Sequence, residues 1–212
     1  MIVTTRKPTA VRTAPLIRRI GAEDFFLLAR TSCVYRPYWE VMRMLSVGQA
    51  FGVGSPGHLP ESAVLLLPLE ADVTWAAALR DLQGLPRHKQ YFITPPVGSL
   101  AQLPRLLQYA AEAAFRHAPD SAVQAVLPFD AHLEEKLPAY FAAGFSLRVV
   151  RPLAGLAPEA LLQTGPHAQP EVWVSLSDAT GISLLLARGW AAVELREGKA
   201  GCLLGLAPPA SC

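Results

Sequence analysis

The chain has 212 residues, of which 51% are hydrophobic and 17% charged, and its formal net charge is +2. This composition predicts a globular protein with one sizeable core and excludes intrinsic disorder. The cations are scattered without a basic run, which excludes a dedicated nucleic-acid surface. No apolar run reaches the roughly 20 residues that a membrane span requires. We therefore expect neither a nucleic acid nor a membrane as a partner.

The cysteines and histidines indicate neither a disulfide framework nor a metal centre. The three cysteines are odd in number and far apart, which is typical of reduced thiols. The five histidines lack ligand-like spacing with Cys, Asp or Glu, so we predict no metal site. Residues 1–14 contain no apolar segment or cleavage site of a secretory signal, and we expect a cytoplasmic protein.

The first half of the chain predicts short strands alternating with helices, after a loose arm at residues 1–14. Turn-forming residues at 55–61 separate two apolar runs, and two prolines close a third. The expected elements are a strand at 16–20, helices at 22–30 and 38–45, strands at 49–53 and 63–69, a helix at 74–82 and a strand at 90–94.

The clearest predicted helix runs from Leu100 to His117. Its apolar residues recur on one face, and Pro104 falls in the first turn, where a missing backbone donor costs little. We expect this helix to join two neighbouring parallel strands, at about 90–94 and 122–127, by a right-handed crossover.

The stretch from Ser121 to Phe145 predicts a buried strand followed by an amphipathic helix. A short apolar run ends at Pro128, as in a strand covered on both faces, and Asp130 is placed to cap the helix. Gly144 supplies the positive φ that helix C-termini commonly need. The residues that recur at helical spacing are Leu133, Leu137, Tyr140 and Phe141.

This strand, helix and Tyr-x-x-x-Gly-Phe corner resembles the end of the GNAT N-acetyltransferase superfamily domain. The resemblance covers about residues 15–153 and implies an α+β fold with a mixed, mostly antiparallel sheet flanked by helices. It also implies acetyl-CoA or another acyl-CoA as a substrate, and a small-molecule or peptide amine as the acceptor.

The same resemblance implies a cofactor-binding turn between a strand and the long helix. In the family, backbone N–H groups at such a helix start bind the pyrophosphate of coenzyme A, aided by the helix dipole. This sequence lacks the family's Arg or Gln, keeps one glycine and has a shorter loop. The alternative is an ordinary helix start capped by a serine. The matching positions are Ile93, Thr94, Val97, Gly98, Ser99 and Leu100.

Two residues are candidates for catalysis. The resemblance implies that Tyr140 protonates the leaving thiolate of coenzyme A, although its place on an apolar stripe also suits simple packing. Glu61 is a candidate general base for the amine because it precedes a strand near the turn, and a surface carboxylate is the alternative. Tyr35, Tyr38 and Trp39 stand where the family often contacts the acceptor, but we interpret them as core and rim residues.

The end of the chain predicts an added lobe. Pro152 to Pro170 is rich in Pro, Ala and Gly and predicts a linker or an extended surface segment. We therefore divide the chain into a GNAT-like domain, 1–153, and a C-terminal β-α-β-β lobe, 154–212, packed on it. The function that fits best is transfer of an acetyl or acyl group from acyl-CoA to an amine. The alternative is a non-catalytic GNAT-fold binding or assembly module, and homodimer formation is left open.

Overall fold

The computed structural model describes residues 15–32, 37–55, 57–69, 90–130, 132–153 and 156–209. The helices are α1 (Ala22–Thr31), α2 (Tyr38–Val47), α3 (Leu103–His117), α4 (Leu133–Ala142) and α5 (Ala179–Ala187). The first strands are β1 (Leu16–Ile20), β2 (Gln49–Gly54), β3 (Ser62–Pro68), β4 (Gln90–Ile93), β5 (Val97–Gly98) and β6 (Ala122–Pro128). The later strands are β7 (Phe145–Leu153), β8 (Leu156–Thr164), β9 (Val172–Ser175), β10 (Ala191–Gly198) and β11 (Gly201–Ala207).

The described strands form one 11-stranded sheet in the order β1-β2-β3-β4-β6-β8-β7-β10-β11-β9, with β5 paired to β3. Within it β4 and β6 run parallel, and every other pair is antiparallel. The mixed, mostly antiparallel sheet flanked by helices is confirmed.

Helices cover both faces of the sheet because successive residues of its central strands point to opposite sides. On one face α3, α4 and α5 share an apolar cluster with residues such as Ile93, Leu127 and Leu147. On the other face α1 and α2 pack against a second cluster that includes Leu65, Phe92 and Val126. Both faces of β4 and β6 are therefore buried, as their mainly apolar sequences indicate.

The predicted crossover from β4 through α3 to β6 is confirmed in its elements and pairing. The strands are parallel neighbours, with Gln90 opposite Ala122 and Ile93 opposite Ala125. The expected helix start at Leu100 is three residues too early, because α3 begins at Leu103.

The linker predicted over Pro152–Pro170 is wrong for its first part. Leu156–Thr164 is β8, a strand in the middle of the sheet between β6 and β7. Its Ala160 and Leu162 are fully buried. A boundary at residue 153 would separate β7 from the strand with which it forms a hairpin, so a division of the chain at Thr164 fits the sheet better.

The elements predicted for the C-terminal unit are present as β9, α5, β10 and β11. Asp178 caps α5 by accepting a hydrogen bond of 2.9 Å from the Gly181 N–H. The unit continues the main sheet where Ala192 pairs with Leu147. Its element order resembles that of β1 to β3, but β9 pairs with β11 whereas β1 pairs with β2. The two regions are therefore not copies of one topology, and their division into domains stays a prediction.

Some sequence predictions fall outside the described residues. The helix expected at 74–82 and Tyr35 are among them. Within the described part of the chain, no helix is long and apolar enough to cross a membrane.

Candidate functional site

The sheet opens at the carboxyl end of β4. The last registered pair between β4 and β6 joins Ile93 to Ala125, but β6 continues to Pro128 with β8 on its other side. Beyond Ile93 the chain continues along β3 and pairs with it again as β5, with Val97 opposite Ala63. A gap therefore separates the end of β4 from the last residues of β6.

Thr94 holds this divergence in place. It is 2% exposed, its N–H donates to the Leu65 carbonyl at 3.0 Å, and its Oγ1 accepts from the Leu65 N–H at 3.1 Å. Pro95 and Pro96 follow and have no N–H to offer to β6. The side chain of Thr94 thus accepts a hydrogen bond from the backbone of β3. The two prolines cannot donate hydrogen bonds to β6, so the strand does not rejoin it.

Two of the loop residues predicted to bind a cofactor make close contacts within the protein instead. The Ser99 N–H donates to the Glu61 carbonyl at 2.8 Å. Gly98 has a φ of 89°, and a Cβ there would overlap the carbonyl oxygen of Glu61. A substitution such as Gly98→Glu would therefore disturb the packing of β5 on β3, and it is not a clean test of ligand binding.

The start of α3 offers donors one turn further along. Ser99 Oγ accepts from the Ala101 N–H at 3.2 Å, so the serine shapes the turn ahead of the helix. The N–H groups of Leu100, Gln102 and Arg105 have no acceptor among the described residues. The first turn of α3 carries no acidic residue, and the Arg105 guanidinium lies 3.5 Å from Gln102 Oε1.

This arrangement suits an anion at the start of α3, since unpaired N–H groups and the helix dipole both favour negative charge there. It shifts the donors from Gly98 and Ser99 to Leu100, Gln102 and Arg105. Sequence reasoning missed Gln102 and Arg105. The sequence did offer one signal for an anion site, because Arg105 lies in the first turn of a helix that has no acidic residue there.

Tyr140 is completely buried. Its ring packs edge to face on Phe145, with 5.5 Å between the ring centroids. Its hydroxyl has no hydrogen-bond partner in the described structure, and burial raises the pKa of Tyr140. Tyr140 shares an apolar cluster with Ile93, the last residue of β4, and with Leu127, near the end of β6. This position is consistent with a packing role for the ring and with a hydroxyl that could donate a hydrogen bond to a ligand.

Of the other candidate residues, Glu61 lies beside β5, whereas Tyr38 and Trp39 lie on α2. The backbone of Glu61 lies beside β5, where its N–H donates to the Val53 carbonyl at 2.8 Å, and its side chain is exposed. Tyr38 packs edge to face on Phe26, whereas Trp39 is 66% exposed and is not a core residue. Across the described ranges, His, Cys, Asp and Glu form no group of three that could hold a metal ion.

No family model and no curated protein matches this sequence. Several solved structures are similar in fold, among them the following three. An uncharacterized protein from Bacillus halodurans is 13% identical, with a TM-score of 0.50, over 71% of this chain and 90% of its own. A candidate acetyltransferase of the GNAT family from Desulfovibrio desulfuricans is 12% identical, with a TM-score of 0.51, over 71% and 98%.

The third similar structure is the NatC complex bound to Gag peptide and CoA. The matched chain is 9% identical, with a TM-score of 0.50, over 73% of this chain and 99% of its own. At such low identities the likeness concerns the fold alone. With the β4–α3–β6 crossover and the gap beyond Ile93, it shows that this chain has the fold of the GNAT N-acetyltransferase superfamily.

Proposed function

We propose that this protein is an N-acyltransferase that moves an acetyl or other acyl group from acyl-CoA to an amine. The observation that carries the proposal is the gap beyond Ile93, which opens beside a helix start with unpaired donors. The N–H groups of Leu100, Gln102 and Arg105 and the guanidinium of Arg105 would bind the pyrophosphate. The thioester arm would then lie between β5 and the end of β6.

The reaction asks little chemistry of the protein beyond positioning. The amine nitrogen forms a bond to the acyl carbon, the carbon–sulfur bond breaks, and the thiolate needs a proton. Tyr140 is the proposed donor to that sulfur, because its hydroxyl has no partner within the described residues. Its raised pKa keeps the phenol protonated at neutral pH.

Glu61 is the proposed base for the amine. Its backbone is fixed beside β5 by the bonds to Ser99 and Val53, and its side chain is exposed. In this role the Glu61 carboxylate would accept the proton that the amine releases.

Binding of coenzyme A to a Gln102→Glu variant is the sharpest test of the site. An acidic side chain at a helix N-terminus stabilises the helix, by about 0.3–1 kcal/mol, but it repels a pyrophosphate. We expect the variant to melt at an equal or higher temperature than the parent and to bind coenzyme A at least tenfold more weakly. Calorimetric titration gives the affinity and a thermal melt gives the stability.

Thr180→Glu is the matched control. It adds the same charge to the first turn of α5, where Thr180 is exposed. The control should gain similar stability and keep the parent's affinity for coenzyme A. Equal affinity in the parent and in Gln102→Glu would contradict the proposed binding site. No binding by the parent at millimolar coenzyme A would contradict the proposed function.

The alternative is a GNAT-fold protein that binds or assembles without catalysis. It is favoured by the loss of donors at Pro95 and Pro96 and by the use of the Ser99 N–H within the protein. A parent protein that binds coenzyme A but transfers no acyl group to a panel of amines would support this alternative. Slower acyl transfer by Tyr140→Phe, at unchanged affinity for coenzyme A, would support the enzyme.

A further inference from the structure

The outward face of α2 carries several large apolar side chains beside the exposed polar residues Arg43 and Ser46. Its large exposed side chains are Trp39, 66% exposed, Met42, 48%, Tyr38, 41%, and Val47, 51%. A surface helix normally turns polar residues to the solvent and apolar ones to the core. α2 therefore carries apolar side chains on both faces, and half of the large exposed hydrophobic side chains of the described residues belong to it.

This face is separate from the gap between β4 and β6. Val41 and Met44 are buried in the cluster that packs α2 on the sheet. At 100° per residue, Trp39 lies on the opposite side of the helix from these two residues. Trp39 thus points away from the sheet, and the face is not a wall of the proposed acyl-transfer site.

The charges on this surface are mainly positive. Arg43 is exposed and lies one turn from Trp39 on the same face. Arg19 is exposed at a neighbouring cleft of about 330 Å³ that Met42 also lines, and no acidic residue lines that cleft. Glu40, at the edge of the face, is half-buried and has an interaction partner.

Helix α1, which packs beside α2, adds no net charge to this balance. Its exposed Arg30 and Glu23 offset each other, and Asp24 pairs with Arg18 at 3.4 Å. The surface formed by the α2 face and the cleft thus combines apolar side chains with two exposed arginines, which suits an occupant that is both apolar and anionic.

We propose that the outward face of α2 docks on a lipid bilayer that contains anionic lipids. Trp and Tyr favour the boundary between headgroups and acyl chains, and arginine side chains reach phosphates while their stems stay apolar. This docking would be peripheral, and it revises the expectation of no membrane partner, which rested on the lack of a spanning segment. A second copy of the chain fits less well, because a twofold contact through Trp39 and Met42 brings two Arg43 guanidinium groups together.

Flotation of the full chain with lipid vesicles tests the proposal. We expect the protein to float with vesicles of phosphatidylcholine and phosphatidylglycerol in equal parts, and to stay behind with phosphatidylcholine alone. Trp39→Ala should weaken the partition about tenfold, as expected for one large apolar side chain. Arg43→Gln should weaken it about fivefold, the contribution of one arginine near an anionic surface.

Leu184→Ala is the control, because Leu184 is 57% exposed on α5, a helix of the opposite face. It should partition like the parent. The proposal is overturned if the parent does not float, if it floats equally with neutral vesicles, or if Trp39→Ala floats like the parent. A concentration-dependent dimer that Trp39→Ala dissolves, without flotation, would assign the face to a second copy and also overturn it. None of these measurements involves coenzyme A, so they stand apart from the proposed function.

Discussion

The described sheet is interrupted at two places, between β4 and β6 and between β7 and β10. At the first, four registered pairs are followed by a gap, since β4 ends at Ile93 while β6 continues to Pro128. At the second, Ala192 and Leu147 form the single registered pair. By contrast, β6 and β8 share five registered pairs, and β10 and β11 share seven.

What lies over each interruption differs. Across the β7–β10 interruption, α5 packs its Ile182 and Leu186 into one apolar cluster with Ala192, Leu147 and Leu206. Beside the β4–β6 interruption stand two prolines and the start of α3, with its unpaired N–H groups. Unpaired polar donors thus border the interruption where we propose a ligand site, whereas apolar side chains cover the other.

The largest expected effect is at the β7–β10 interruption. Ile182→Ala removes a fully buried side chain from the cluster that joins the C-terminal unit to the sheet. We expect the free energy of unfolding to fall by about 2–5 kcal/mol, measured by urea denaturation. Leu184→Ala on the same helix is the control, because that side chain is 57% exposed and should change stability by less than about 0.5 kcal/mol. Equal effects of the two variants would show that α5 does not hold this part of the sheet.

A smaller effect is expected at the β4–β6 interruption from Thr94→Val. The substitution keeps the shape of the side chain but removes the oxygen that accepts the Leu65 N–H. Because that N–H lies in a buried strand, we expect a loss of about 1–3 kcal/mol in the free energy of unfolding. Thr180→Val, at an exposed helical position, is the control. An unchanged stability of Thr94→Val would contradict the role of Thr94 in holding the strands apart.

Tyr140→Phe should raise stability. The hydroxyl is buried without a partner in the described structure, so its removal ends a desolvation cost, and the ring contact with Phe145 remains. We expect a gain of about 1 kcal/mol in the free energy of unfolding. A loss of stability would show that the hydroxyl has a partner in solution. That result would weaken its assignment as a donor kept for the leaving sulfur.

The smallest effect concerns alkaline pH. Burial raises the pKa of Tyr140 above its ordinary value of 10.0, so the folded protein keeps the phenol protonated while the unfolded chain ionises. The contribution of Tyr140 to the free energy of unfolding is therefore fully present below about pH 10, and it is lost as the pH rises further. At pH 10.5 the parent should lose about 1 kcal/mol more than Tyr140→Phe, measured as the difference between their pH profiles of unfolding. Parallel profiles would contradict the burial of this hydroxyl.

The sequence predicted the β4–α3–β6 crossover because its signals are local. The apolar runs of both strands and the apolar face of α3 can be seen within short windows. Burial of Tyr140 also followed from its place on the apolar stripe of α4. These features depend only on the spacing of apolar residues along the chain, so they can be predicted without knowledge of distant contacts.

The sequence did not predict β8 or the bonds within the loop, because both depend on distant residues. β8 contains Pro158 and three polar residues, Glu159, Gln163 and Thr164, and it becomes a strand only between β6 and β7. The Ser99 N–H is occupied by the carbonyl of Glu61, 38 positions earlier in the chain. Tertiary contacts of this kind outweigh local propensity.

The position of β8 also sets an order of events for a growing chain. β6, α4 and β7 are synthesised first, yet β6 and β7 join the same sheet only through residues 156–164, which lie between them as β8. Until β8 is in place, the backbone N–H and C=O groups on one edge of β6 have no partner strand. An unpaired edge on an apolar strand favours association between chains. Late insertion of a central strand also lengthens the loops that must close, which slows folding. A nascent chain that stalls near Leu153 would therefore be the form of this protein most in need of chaperone protection.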